Sequence, residues 1–443
     1  MSSQSRAIAC LLLVCVTGCS GDSDNPADDP LQQRITDAVA RIQADTCFAQ
    51  ADPSGCAWGD FPIRPEDFAM TRSTGEAILV IDTFDPGFYP ELLRYRNRLR
   101  GVYQIDGDQI APRVPSTHLP EVLGEVLVSF ADPDGIPARA LTEVSAAVEA
   151  QYGKIPLLFP GHGGVVFGHL IELVPEQPLV LLDLNHLLDI PAGVCQGIDE
   201  ASLAAATAHF SAVAASIRQV MTDHQVHFLN ASFGSTAPVM AEEWPRSCPG
   251  VAVPDSDQLR QVLHIYDPFY ELLFHTGGVV AAHAAANLGS AADFPFDQAS
   301  AQYPNQVRVG FISSLSSGLD ERGRGAVQKD EQFPDNGSAD VYLNWGCKTL
   351  GPCSDPHYQL SAAFGLAMGE LPITSSSYIS PLAVARLVNL RYANHAGEPM
   401  TDALVSVLRT ELTPALCGSD GNQPCVYQDP ILHHQLESDR LHN

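Results

Sequence analysis

What this chain lacks narrows the field first. Basic residues are scarce: 24 Lys and Arg stand against 52 Asp and Glu, a formal charge of −28 over 443 residues. Polyanions are repelled by such a surface, so nucleic acid and anionic lipid are excluded as partners. The carboxylate excess keeps a chain in solution. It also permits structural calcium, but no EF-type loop occurs and no calcium site is assignable. CxxC is absent, which argues against a zinc ribbon or a thioredoxin-type site. A GxSxG elbow is absent, which removes the lipase-like hydrolases. In PGHGGVVFGHL, Val166 stands where a dinucleotide loop needs its third glycine. No apolar run after residue 18 is long enough to cross a bilayer, and no internal repeat is visible.

The ends carry their own signals. Arg6 precedes AIACLLLVCVTG (7–18), an apolar run too short for a stable span, so residues 1–18 read as a signal peptide. Val16-Thr17-Gly18-Cys19 resembles the lipobox of bacterial lipoproteins. The resemblance implies lipidation of Cys19, membrane attachment only through that anchor, and export to the bacterial cell envelope. Ser20 after the cysteine favours the outer membrane. Residues 19–30 are an acidic, proline-containing tether. The expected organisation is then an N-terminal helix and disulfide-bounded loop (31–75), one large domain (76–395) and a C-terminal extension (396–443).

Eleven cysteines are present, three of them at or before Cys19. Eight remain, an even number that suggests disulfides in an exported chain. Three local pairs look natural: Cys47–Cys56, Cys347–Cys353 and Cys417–Cys425. That leaves Cys195–Cys248. Eight cysteines allow about 105 pairings, so the connectivity stays open.

Continuous apolar runs recur at 76–84 (EAILVIDTF), 155–159, 178–184 (PLVLLDL), 226–232 (VHFLNAS), 278–286 (GVVAAHAAA) and 307–313 (VRVGFIS). Such runs are typical of parallel strands buried on both faces. Helical patterns lie over 31–45, 201–222 and 257–275, the last expected to kink at Pro268. Strands alternating with helices predict an α/β fold: a doubly wound, mostly parallel sheet with helices on both faces.

In open α/β sheets chemistry collects at the carboxyl ends of the strands. Asp82 ends the first of these runs, and His162 opens a small-residue helix after residues 155–159. Asn287 follows the run 278–286. Ser377 stands before the helix through LAVARLVNL, with Pro381 expected in its first turn, where N–H groups lack partners anyway. A serine hydroxyl needs a base to take its proton, imidazole suits that task, and a buried carboxylate orients the imidazole. An Asn amide and a backbone N–H at a helix N-terminus suit an oxyanion.

These stretches, in this order, resemble the subtilisin-like serine peptidases. VIDTFDPGF is similar to the family's Asp-(Ser/Thr)-Gly motif at Asp82, and GHGGVVFG to His-Gly-Thr-His-Val-Ala-Gly at His162. VVAAHAAANLGS resembles the strand leading into Ala-Ala-Gly-Asn at Asn287. YPNQVRVGFISS resembles the Tyr-Pro…Val-Ala-Val-Gly strand. SSSYISPLAVARL resembles Gly-Thr-Ser-Met-Ala-Ser-Pro-His-Val-Ala-Gly, and FLNASFGS resembles Asn-Met-Ser-Leu-Gly-Gly. The matches run from about residue 76 to 390, with large insertions between Asp82 and His162 and after 235. The resemblance implies a subtilisin-like fold and a serine endopeptidase that needs no cofactor and no metal. Asp82, His162 and Ser377 form its triad, and Asn287 donates to the oxyanion. A peptide or protein substrate lies as an extended strand between Ser232, Phe233, Gly234 and Ala284, Ala285, Ala286. The span before the first core strand is short for the family's inhibitory prodomain. Either folding is unassisted or helix 31–45 does part of that work.

The departures are Phe84 for Gly, Gly164 and Val165 for Thr and His, Ser375 and Ser376 for Gly and Thr, and Ala286 for Gly. They leave open a rival reading, a weak or inactive subtilase-like protein that binds peptides or a protein partner. Taken singly, each site residue has a plain structural use: Asp82 as a turn carboxylate, Asn287 as a cap, Ser377 as a helix N-cap. Ser313 and Ser314 rival Ser377 as nucleophile but lack a following helix with proline. His224 and His227 precede a strand and read as structural. His433, His434 and His442 lie in a polar tail.

Overall fold

The computed structural model describes residues 29–64, 75–84, 89–131, 135–153, 161–174, 176–184, 189–285, 303–312, 324–326, 339–344, 358–361, 364–369, 376–413 and 425–428. Cys19, residues 155–159, Ala286, Asn287, Ser313, Ser314, Cys347, Cys353, Cys417 and the three tail histidines lie outside them.

The strands, in chain order, are β1 (Trp58–Pro62), β2 (Ala77–Asp82), β3 (Leu99–Asp106), β4 (Gln109–Pro112), β5 (Ser116–Pro120), β6 (Leu179–Asp183), β7 (Val226–Ala231), β8 (Val280–Ala284), β9 (Gln306–Ile312), β10 (Arg324–Ala326), β11 (Val341–Asn344), β12 (Tyr358–Ser361), β13 (Leu366–Gly369) and β14 (Cys425–Gln428). The helices are α1 (Pro30–Ala44), α2 (Tyr89–Tyr95), α3 (Glu121–Phe130), α4 (Ala138–Tyr152), α5 (Gly161–Leu173), α6 (Ala192–Gln196), α7 (Glu200–Asp223), α8 (Ala237–Ser247), α9 (Ser256–Leu263), α10 (Asp267–His275), α11 (Ser376–Asn394) and α12 (Asp402–Leu412).

Among the described residues ten strands form one sheet in the order β10-β14-β11-β9-β8-β7-β2-β6-β3-β4. The pairings from β14 to β3 are parallel, and antiparallel β10 and β4 close the two edges. The fold is therefore α/β, with a mostly parallel sheet flanked by helices. The apolar runs form strands for the reason their composition gives: all six residues of β2 are buried, so both faces are covered. Successive side chains alternate between two cores. Ile78 and Val80 join one with α1, α3, α4, α5, α11 and α12; Ala77, Leu79 and Ile81 join the other with α7, α8, α9 and α10. Each fully buried Ile or Leu contributes about 1.5–3 kcal/mol.

Several expectations are met and two need correction. The helix expected over 31–45 is α1, capped by Asp29, and 201–222 lies within α7, capped by an Asp199–Ser202 capping box. The pattern 257–275 is two helices, not one kinked at Pro268. The break is a 3-10 turn at His264–Tyr266, and Pro268 sits in the first turn of α10, where its missing N–H costs no bond. Pro381 lies in the interior of α11 rather than in its first turn. The expected Cys47–Cys56 and Cys195–Cys248 disulfides are formed, and the expected pairs Cys347–Cys353 and Cys417–Cys425 each include cysteines outside the described residues. Cys425 begins β14, paired in the main sheet. No helix among the described residues is long and apolar enough to cross a membrane.

The order of strands also fixes where a site can form. The chain leaves β2 toward β3, on one side, and leaves β7 toward β8, on the other. Connections that diverge from adjacent strands open a crevice beyond their carboxyl ends, and in such sheets ligands bind there. β2 ends in Asp82, and β7 is followed by Ser232, Phe233 and Gly234.

Candidate active site

Asp82 lies on the same face of β2 as Ile78 and Val80, the face covered by α5 and α11. It is 2% exposed. Its Oδ1 accepts hydrogen bonds from the Thr83 backbone N–H at 2.7 Å and from Nδ1 of His162 at 2.7 Å. With Asp82 ionised, Nδ1 carries the proton and the lone pair of the neutral ring falls on Nε2. Burial pushes the Asp82 carboxyl above its ordinary range; the His162 hydrogen bond and charge and the Thr83 N–H oppose this, and the neighbouring Asp183 charge adds to it. A carboxylate so placed gains from an imidazolium partner and stabilises it in return.

Two glycines bring the histidine there. Gly161 opens α5 at φ +68°, a conformation that L side chains rarely adopt. The Gly163 N–H donates to the Thr83 carbonyl at 3.1 Å. A Cβ on Gly163 would stand 2.5 Å from that carbonyl oxygen and 2.7 Å from the Phe84 ring. The first turn of α5 thus approaches the end of β2 only because residue 163 has no side chain. Phe84 is buried at 2% exposure and forms the floor of this contact.

α11 runs along the same face. Near its carboxyl end Arg391 holds Glu76, which precedes β2, at 2.8 Å, so its start falls at the opposite edge of the sheet, beside Asp82. The ring of Tyr378 packs on His162 at 4.9 Å between centroids. Hydroxyl groups pin the neighbouring backbone. Ser376 Oγ donates to the Ala285 carbonyl at 2.6 Å, and Ser232 Oγ donates to the Ser377 carbonyl at 2.7 Å. Asn230 Nδ2 donates to Ser232 Oγ at 2.9 Å, which extends the chain of bonds into the sheet. Pro381 explains the second contact. An interior helical residue normally supplies the N–H for the carbonyl four places back, and proline has none. The carbonyl that loses its donor is that of Ser377, and Ser232 supplies the replacement.

The structure therefore brings together Asp82, His162, the Ser377 turn, Ser232 and Ala285. Ser232 is 4% exposed, whereas Gly234 is exposed and Phe233 is half-buried, stacked on Phe269 at 5.7 Å. Ala284, the last residue of β8, is partly exposed beside them. His224 and His227 are apart from this site and serve structure: His227 bonds the Gly278 carbonyl at 2.8 Å, and the His224 ring lies against Tyr103. No group of His, Cys, Asp and Glu able to hold a metal occurs among the described residues.

Sequence reading missed two buried arrangements. His283, 2% exposed, donates from Nε2 to the Phe233 carbonyl at 2.9 Å, and its Nδ1 meets the Gln306 amide at 3.1 Å. Asp183, 1% exposed, pairs with Arg113 and lies in register with Asp82. A lone Asp inside the apolar run PLVLLDL was the available signal for the second. Charge within a strand buried on both faces requires a partner.

No protein-family model, no curated protein and no solved structure matches the chain.

Proposed function

We propose that this protein is a subtilisin-like serine endopeptidase. The observation that carries the reading is the hydrogen bond between His162 and the buried Asp82 at the strand end where hydroxyls pin the Ser377 turn. Ser377 attacks the scissile carbonyl, and His162 takes its proton and later gives it to the leaving amine. Asp82 holds the tautomer and stabilises the imidazolium. Asn287 and the Ser377 backbone N–H hold the oxyanion, aided by the α11 dipole. Substrate adds as an extended strand along Ser232–Gly234, facing Ala284–Ala286. The signal and lipobox support a chain exported and tethered through Cys19 to the envelope, by the outer membrane. No cofactor enters the mechanism.

Incubation of the purified protein with a peptide library tests the reading. Endoproteolytic products are expected, and Ser377→Ala is expected to slow their formation by about 10³-fold or more. Products formed equally by the variant refute Ser377 as nucleophile. Folded protein that binds the peptides without cutting them supports a peptide-binding role instead.

A further inference from the structure

β6 places a second carboxylate beside the first. Asp82 and Asp183 are register partners on adjacent parallel strands, and both lie on the face carrying α5 and α11. Two buried like charges at that spacing raise each other's proton affinity unless one is neutralised. Here one is. Arg113 pairs with the Asp183 carboxylate. The Arg113 backbone N–H donates to the Val102 carbonyl at 2.8 Å, fixing the residue to β3, the strand next to β6. Asp183 also accepts from the Phe84 N–H at 3.5 Å, at the turn that carries Asp82 toward α5.

We propose that Arg113 is a positioning residue for the Asp82–His162 pair: by neutralising Asp183 it sets the pH at which His162 becomes a base. The role rests on the function proposed above for His162. The charged groups that act on Asp82 are His162 on α5 and Asp183 on β6, the latter paired with Arg113. On the same face β7 carries the neutral Asn230, Ser232 follows that strand, and α11 brings Tyr378 against the imidazole. Burial favours the protonated form of Asp82, and the Asp183 charge pushes the same way.

The sign follows. Without Arg113, one positive charge beside Asp183 is lost, and His162 keeps its proton to higher pH. Without the Asp183 charge, one negative charge beside the pair is lost, and His162 loses its proton at lower pH. Removing both returns the field close to its starting value.

The test is an NMR titration of the His162 ring in the full chain, assigned by its loss in His162→Gln. Arg113→Gln is expected to raise the His162 midpoint by about one pH unit, and Asp183→Asn to lower it. The double variant returns to within about a few tenths of a unit. Arg113→Lys, which keeps the charge, stays near wild type and serves where Arg113→Gln does not fold, with Asp183→Asn as the opposing arm. A merely structural pair would lower stability without opposite shifts. An unchanged midpoint in Arg113→Gln or Asp183→Asn overturns the proposal. Fluorophosphonate labelling over the same pH range separates the two claims. Midpoints that shift with no labelling of any variant support the electrostatic role and refute the peptidase.

Discussion

At the scale of single residues, the site is held by hydroxyls filling gaps that proline and strand ends leave. Pro381 deprives the Ser377 carbonyl of its helical donor, and Ser232 replaces it from a neighbouring strand. Ser232→Ala should therefore do more than remove a cleft contact. It leaves a partly buried carbonyl without its donor and Asn230 without its acceptor, a cost of about 1–3 kcal/mol. It also frees the turn of the proposed nucleophile, Ser377, and cleavage should slow by about 10- to 100-fold. Thermal unfolding beside peptide turnover checks both; a variant with normal stability and rate would show that the clamp is incidental. The serines and the proline were legible in the sequence. Their division of labour was not, because placing Pro381 in the first turn hid the carbonyl that it orphans. Arg113 and Asp183 were illegible for a different reason. They are 70 residues apart, and nothing local says that β3 lies next to β6.

At the scale of elements, the contact of α5 with β2 decides whether His162 meets Asp82. Gly163→Ala forces a methyl against the Thr83 carbonyl and the Phe84 ring. A backbone oxygen cannot yield as a side-chain tip can, so α5 must move. The expected cost is about 1–3 kcal/mol of stability and about 10²-fold or more in turnover. Denaturant unfolding and peptide cleavage measure these; an unchanged rate would mean that the approach of α5 is not needed. The elements that sequence revealed are those whose burial writes a pattern. β2, β6, β7 and β8 are continuous apolar runs because both faces are covered. β3 was missed, since LRGVYQID mixes buried and open positions along an insertion. The 3-10 break at His264–Tyr266 was missed because one apolar face continues through it into α10.

At the scale of the molecule, one sheet separates two cores, and the candidate site residues gather where strand connections diverge. Helix α1 shares a core with α3, α4 and the sheet, so the N-terminal segment is part of the same body. On the other face Cys195–Cys248 links α6 to the end of α8 across 53 residues of sequence. Replacing both cysteines with alanine should cost about 4 kcal/mol, largely through the freed unfolded chain. A denaturant midpoint equal to wild type would show the link to be dispensable. The α/β class and the carboxyl-end site were readable from runs and residue order; the antiparallel edge strands β4 and β10 and the strand order were not, since they depend on pairing between distant segments. The central claim is that Asp82, His162 and Ser377 act as one unit. Its most direct measurement is the site of fluorophosphonate attachment, mapped by peptide mass spectrometry in wild type, His162→Ala and Asp82→Ala. The account predicts a single adduct on Ser377 that both substitutions suppress by about 10²-fold or more. An adduct on another serine, or one on Ser377 that forms equally fast without His162, would contradict it.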